Sequence, residues 1–310
     1  MKIAYVDDHR LSAITEQGVI DLSPVVRDLE LMPAQQKINW VIERWSDYRP
    51  RFEALLVNAK ARPLAEVQLQ APLPKPVAIV CMAVNYMENG LLKEKPLAQA
   101  FFKNSHSVIG PNGTMHLPDV PATVFEGEAE IALVIGKTAT KVSVEAASEY
   151  IFGYLNFVDG SARGLATGMG LPYFMKGQDD FAPLGPWITT ADEIADPMNL
   201  QVRQWNNGEL TQDYSTRDMA HNIAESVAFV SSNTTLEAGD LIALGTNHQG
   251  LHPLQDGDLV EQEIQDLGRL AFKVRDPARR TWPRLTRAEW QKLGHKGRHA
   301  LKLTGDQAKQ

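Results

Sequence analysis

Phe125-Glu126-Gly127-Glu128-Ala129-Glu130-Ile131-Ala132-Leu133-Val134-Ile135-Gly136 sets three carboxylates at alternate positions and then runs into a β-branched, apolar segment. A strand sends alternate side chains to one face, so Glu126, Glu128 and Glu130 point the same way. Like charges crowded on one face repel and weaken the strand unless something neutralises them. Two readings stay open at this point. Either a hard divalent cation draws on carboxylate oxygens, its preferred ligands, or the acids mark a solvated strand end.

The 310-residue chain is 44% hydrophobic and 22% charged, the composition of an ordinary globular protein with enough apolar content for a substantial core. A net charge of -7 argues against a general nucleic-acid binder. The charge is uneven: residues 277–310 hold nine Lys/Arg against two Asp/Glu, which leaves residues 1–276 at -14. Such a basic tail either lies across an acidic neighbour or partner subunit, or is a solvated amphipathic extension, and the second reading is adopted. Trp282, Leu285, Trp290 and Leu293 offer one apolar stripe to dock it.

A single cysteine, Cys81, excludes an intramolecular disulfide and suits a reducing compartment. It sits in the apolar run 77–84, which reads as a buried strand and is far too short to span a bilayer. The N-terminus acquires acids before any signal-type apolar core, so the expected location is the cytoplasm, with no membrane association.

Short strands are expected at 2–6, 11–15 and 19–22, and a helix over 36–48 ending before Pro50. Prolines 72, 74 and 76 suggest a stiff linker closing a small N-terminal αβ domain, residues 1–71. A helix is expected from Ser143 to Tyr150, and strand character from 151 to 158, ending at Asp159. Asn206-Asn207-Gly208 marks a hairpin, and a helix over 219–231 has Asp218 as its expected N-cap. There is no phosphate-binding loop, no zinc-type Cys/His spacing and no nucleophile elbow, and Gly168-Met169-Gly170 lacks a dinucleotide-binding context.

Several pieces in order carry a resemblance. They are Val84-Asn85-Tyr86, Phe102-Lys103-Asn104-Ser105, residues 128–136, Gly153-Tyr154 with Asp159-Gly160-Ser161-Ala162-Arg163, residues 176–186, residues 207–212 and residues 235–246. Over residues 72–276, about two-thirds of its length, the chain resembles the fumarylacetoacetate hydrolase superfamily. The resemblance implies an α+β, mainly β fold: a mixed β-sandwich roll, residues 72–276, after the N-terminal domain and before a basic extension, residues 277–310. It also implies a homodimer and a Mg²⁺ or Mn²⁺ ion held by Glu128, Glu130 and Asp159. Glu126 falls outside that triad, as a solvated neighbour or an outer group. Lys176 is the implied cationic partner of substrate oxygens. Arg163, Gln178, Tyr86 and Thr246 are further candidates for substrate contact.

The sequence also departs from the family. Many members place a His three residues after the tyrosine and a Glu three beyond it, as a water-activating pair. Asn89 and Leu92 stand there, and an amide does not titrate as a base near neutral pH. His248 is the candidate replacement base, with Glu88, Glu94 and His106 behind it, while His252, His295 and His299 read as surface residues. The expected function is metal-dependent hydrolysis of a C–C bond in a small 2-oxo or β-diketo acid. The alternatives are hydration, isomerisation or decarboxylation of a related acid, or metal and ligand binding without catalysis.

Overall fold

All twelve residues of the strand Val124–Ile135 are buried, the glutamates included. A computed structural model describes residues 1–165 and 171–295. In it the glutamate strand pairs antiparallel with Ile151–Arg163 on one edge and with Leu241–Ala243 on the other. Among the described residues it lies near the middle of an eleven-stranded sheet. A five-stranded sheet, with Gln201–Asn206 and Leu259–Ile264 at its centre, covers one face of the larger one. Ile131 and Leu133 pack there with Val202 and Ile264, while Phe125 and Val158 meet Val260 and Phe272. Two glutamines of the small sheet bind the glutamate strand directly: Gln204 Nε2 donates to the Gly127 carbonyl at 3.0 Å and Gln262 Nε2 to the Glu130 carbonyl at 2.7 Å. The α+β, mainly β architecture is as the resemblance implied.

Residues 1–71 are continuous with this sheet. Lys2 and Ile3 of Lys2–Val6 pair with Thr189 and Ile188 of Ala182–Thr190, and one apolar cluster joins Ile3, Ile38 and Phe52 to Ile79, Leu155 and Leu184. The proline-rich connection is packed as well, with Leu73 fully buried.

Local expectations fail where a tertiary contact overrides a local signal. The helix over 36–48 is two helices, Ala34–Glu43 and Trp45–Leu56, broken at Arg44. Pro50 lies inside the second, because Tyr48 and Phe52 on either side of it are buried and hold that helix against the sheet. Between Ser143 and Tyr150 there is only a 3₁₀ turn, Ala147–Tyr150. The helix expected from 219 is Ile223–Asn233, capped by Asn222 in a reciprocal box with Glu225 rather than by Asp218. The strand expected to end at Asp159 continues to Arg163.

The basic extension is docked on the body as far as Trp290 rather than solvated throughout, while residues 291–295 are exposed. Arg280 is buried against Asp276 and the Pro118 and Val120 carbonyls, Arg284 pairs with Asp258, and Arg287 pairs with Glu126. Charge complementarity with the acidic body is what docks it. Of the expected stripe, Trp282 is buried and Trp290 packs on the same cluster, but Leu293 is exposed. His299, like Gly168-Met169-Gly170, lies outside the described residues. Among the described residues no helix is long and apolar enough to cross a membrane.

Candidate metal and substrate site

The register of two strands builds the carboxylate cluster. Asp159 stands directly opposite Glu128, Phe157 opposite Glu130, and Ser161 opposite Glu126. Since side chains alternate, Glu126, Glu128, Glu130, Asp159 and Arg163 fall on one face of the pair. Glu128, Glu130 and Asp159 each offer an oxygen within 4.8 Å of the others, and all three are buried. Gly160 keeps the strand close to its neighbour, since a Cβ there would lie 2.7 Å from the Phe181 ring.

Four cations surround these acids. Lys103 Nζ, with no exposed side-chain surface, donates to Asp159 at 2.7 Å. Lys176 donates to Glu128 at 2.7 Å and also to Asp159. Arg163 Nε donates to Glu126 at 3.0 Å, and its Nη2 to Glu128. Arg287 donates to both oxygens of Glu126, at 2.9 Å from Nε.

Burial alone would raise the Glu128 pKa, but Lys176, Arg163 and His248 outweigh it and hold that carboxyl well below its ordinary value. Glu126 is likewise held low against burial, by Arg287 and Arg163. Glu130 is different. Burial, then Asp159 and Glu128, push its pKa well up, and its side chain accepts from the Gly245 N–H at 2.7 Å. Among the described residues no cationic side chain pairs with it. An all-oxygen donor set with one carboxylate left uncompensated fits a hard divalent cation, which would relieve that repulsion.

A cavity of about 420 Å³ adjoins the cluster, within the range of small-ligand sites. Val84, Glu88, Leu91, Leu92, Met175, His248 and Gln249 line it, together with Arg163, Arg287 and Gln291. Arg163 belongs to both places, since it faces the cavity and donates to Glu128. The carboxylates of the cluster are not themselves among the lining residues.

His248 and Glu88 meet on the cavity wall. Glu88 Oε1 is 2.5 Å from His248 Nδ1, and Glu88 Oε2 accepts from the His248 backbone N–H at 3.0 Å. The two residues are 160 positions apart, one on the turn after the apolar strand 79–83 and the other on the loop after Leu241–Ala243. Those two strands are parallel neighbours, so their C-terminal ends carry the pair to the same edge. Asn89 is exposed with positive φ and donates its backbone N–H to Asp218, away from the cavity, whereas Leu92 lines it.

Other sequence candidates are placed differently. Thr246 is buried, accepts from Gln212 at 2.8 Å and is not among the cavity-lining residues. Tyr86 is fully buried, packs edge-on against Tyr214 and is not among the cavity-lining residues. Among the described residues Gln178 bonds only the Phe174 carbonyl, one turn back in the chain. Glu94 and His106 are exposed and outside the cavity lining. His252, expected at the surface, is buried and bonded to Asn206, so burial drives its pKa down. Cys81 is buried and burial drives its pKa up, as a packed thiol requires. Sequence reasoning missed Lys103, although the motif quoted around it was there to be read, and Arg287, for which no local signal exists.

The fumarylacetoacetate (FAA) hydrolase C-terminal family matches residues 78–275. Maleylpyruvate hydrolase of Aquipseudomonas alcaligenes is 31% identical, covering 89% of this chain and 99% of that protein. The crystal structure of maleylpyruvate hydrolase from Sphingobium sp. SYK-6 in complex with manganese (II) ion and pyruvate superposes with a TM-score of 0.80. That protein is 33% identical, with 89% of this chain and 99% of that chain covered. Oxaloacetate tautomerase YisK of Bacillus subtilis is 33% identical over 68% of this chain and 74% of its own. With the family match over more than half the chain, and with relatives matched through the N-terminal strands as well, the chain belongs to the fumarylacetoacetate hydrolase family and is one of its enzymes.

Proposed function

We propose that this chain is a divalent-metal-dependent hydrolase cleaving a C–C bond in an acylpyruvate-like 2-oxo or β-diketo acid. The observation that carries the reading is the His248–Glu88 pair, which lines the same cavity as Arg163, itself bonded to Glu128 of the carboxylate cluster. An imidazole and a carboxylate are thus present although Asn89 and Leu92 occupy the positions where the family often keeps them. The likeness to proteins named maleylpyruvate hydrolase, at 31% and 33% identity over 89% of this chain, supports hydrolysis.

Glu128, Glu130 and Asp159 would hold the cation, Mn²⁺ or Mg²⁺, and when bound it supplies Lewis-acid stabilisation of a 2-oxo enolate. Lys176 uses two of its three donors on Glu128 and Asp159, which fixes both carboxylates. Among the described residues the third has no hydrogen-bond acceptor, only the Phe101 ring 5.5 Å away, and would serve a substrate oxygen that reaches the cluster. Glu88 orients the His248 ring through Nδ1, leaving Nε2 to take a proton from water. The water oxygen bonds to the acyl carbonyl carbon, the bond from that carbon to the pyruvyl methylene breaks, and its electron pair remains on the pyruvyl fragment. His248 returns the proton to the methylene carbon of the pyruvyl fragment, which becomes the methyl group, so pyruvate and a carboxylic acid leave. A cytoplasmic homodimer acting on a small acid belongs to the same reading, with the single buried Cys81 in keeping with a reducing compartment.

Product analysis tests the proposal. Purified protein with Mn²⁺ is incubated with 2,4-dioxopentanoate, oxaloacetate and a 2-oxo-alkenoate in turn. Release of pyruvate with acetate from the first supports hydrolysis. Interconversion of oxaloacetate tautomers alone would favour the tautomerase reading, and binding without turnover would favour a non-catalytic one.

A further inference from the structure

The docked C-terminal helix Arg287–Lys292 lies beyond the end of the family match at residue 275, yet it supplies Arg287 and Gln291 to the cavity wall. Its anchor is Glu126, the first glutamate of the opening stretch. Arg163 and Arg287 share that one carboxylate, so a buried and a half-buried guanidinium stand against a single acid. Arg287 spends Nε and Nη2 on Glu126, which fixes the plane of its guanidinium. Among the described residues its Nη1 has no hydrogen-bond partner, and Gln291 has no side-chain partner. A planar fork with spare N–H donors beside a free amide is the chemistry that receives a carboxylate.

The charge balance points the same way. Four carboxylates, Glu126, Glu128, Glu130 and Asp159, face four cations, Lys103, Lys176, Arg163 and Arg287. Such a set is neutral when all are ionised, so a bound divalent cation makes it +2. The Glu88–His248 pair adds -1 with a neutral imidazole and nothing with an imidazolium, so the cavity stays positive either way. A 2-oxo acid with one carboxylate leaves positive charge unmatched, whereas one with a second, distal carboxylate can match it.

We infer that Arg287, with Gln291 beside it, is the contact for a distal carboxylate of the substrate, so that discrimination between 2-oxo diacids and 2-oxo monoacids is set by a helix outside the family match. The inference rests on the proposed 2-oxo acid site but not on hydrolysis there. It gives the docked helix a role in selecting substrate and gives Glu126 the role of holding that helix in place.

The test is binding, measured by titration calorimetry on the full chain with saturating Mn²⁺. Pyruvate is the monoacid probe and 2-oxoadipate the diacid. Wild type is expected to bind 2-oxoadipate about 10-fold or more tighter than pyruvate, the usual size of a charge-assisted carboxylate contact. Arg287→Ala should remove that preference and leave pyruvate within about 2-fold, which also reports an intact site. Arg287→Lys should keep part of the preference. If Arg287→Ala fails to fold, Gln291→Ala on the exposed side of the helix serves instead, with a loss of about 3-fold confined to the diacid. No preference in wild type, or equal loss for both probes in a folded variant, would overturn the inference. Absence of acylpyruvate turnover would overturn the proposed hydrolysis and leave this binding comparison standing.

Discussion

Glu88→Gln isolates the group that orients the proposed base, His248, without changing the volume of the side chain. Glu88 is buried, its Oε1 lies 2.5 Å from His248 Nδ1, and its Oε2 accepts from the His248 backbone N–H. The amide keeps a hydrogen bond to the ring but removes the charge that stabilises an imidazolium once water has given up its proton. Charge-assisted bonds contribute about 1.5–3 kcal/mol, so kcat should fall about 10- to 150-fold. KM should move little, because the contact strengthens as charge develops on the ring and not when substrate binds. His248→Ala should cost about 10²–10⁴-fold, the usual range for a general base. The decisive comparison is the double variant. If Glu88 acts through His248, adding Glu88→Gln to His248→Ala changes kcat by less than about 2-fold. The assay is pyruvate release from 2,4-dioxopentanoate at saturating Mn²⁺, with thermal melts to confirm folding. A full additional loss in the double variant, or unchanged kcat in Glu88→Gln, would refute the reasoning.

Other perturbations follow from the same geometry. Lys103→Met strips a fully buried ammonium from Asp159, and denaturant unfolding of metal-free protein should show a loss of about 3–5 kcal/mol. Gly160→Ala drives a methyl into the Phe181 ring beside Asp159 and should destabilise by about 1–3 kcal/mol while weakening Mn²⁺ binding, read by melts and metal titration. His252 is buried with its pKa lowered, so below about pH 6.5 the unfolded chain takes up a proton that the folded chain refuses. Stability should therefore decline as pH falls from there towards the folded-state pKa. Denaturant midpoints across that window, compared with His252→Gln, should show a shallower slope for the variant.

The shared face of the glutamates was legible because its signal is local, whereas their reading as cation ligands came only with the resemblance. Glutamates at alternate positions in front of an apolar strand announce a shared face, and the two-residue period is intrinsic to strands. Asp159 came only through resemblance, since nothing around it says that it stands opposite Glu128. The pairs missed by sequence reasoning are long-range. Glu88 meets His248 160 residues away, and Glu126 meets Arg287 161 residues away. Single residues of common type at such separations carry no local pattern, so neither contact could be read before the fold was known. The basic tail misled for a related reason, because its charge looks solvated until the body supplies Asp258, Asp276 and Glu126 as partners. Pro50 misled because its local cost is real but smaller than the burial of Tyr48 and Phe52 around it.

The account rests on a divalent cation at Glu128, Glu130 and Asp159, and paramagnetic resonance of Mn²⁺ titrated into wild type and Glu130→Gln addresses it directly. Glutamine can still accept from the Gly245 N–H, and removing the uncompensated charge should leave the metal-free variant folded and more stable than wild type. The account predicts one bound Mn²⁺ per wild-type chain and a loss of affinity of at least about 100-fold in the variant. A wild-type chain that binds no Mn²⁺, or a folded Glu130→Gln that binds it equally well, would contradict it.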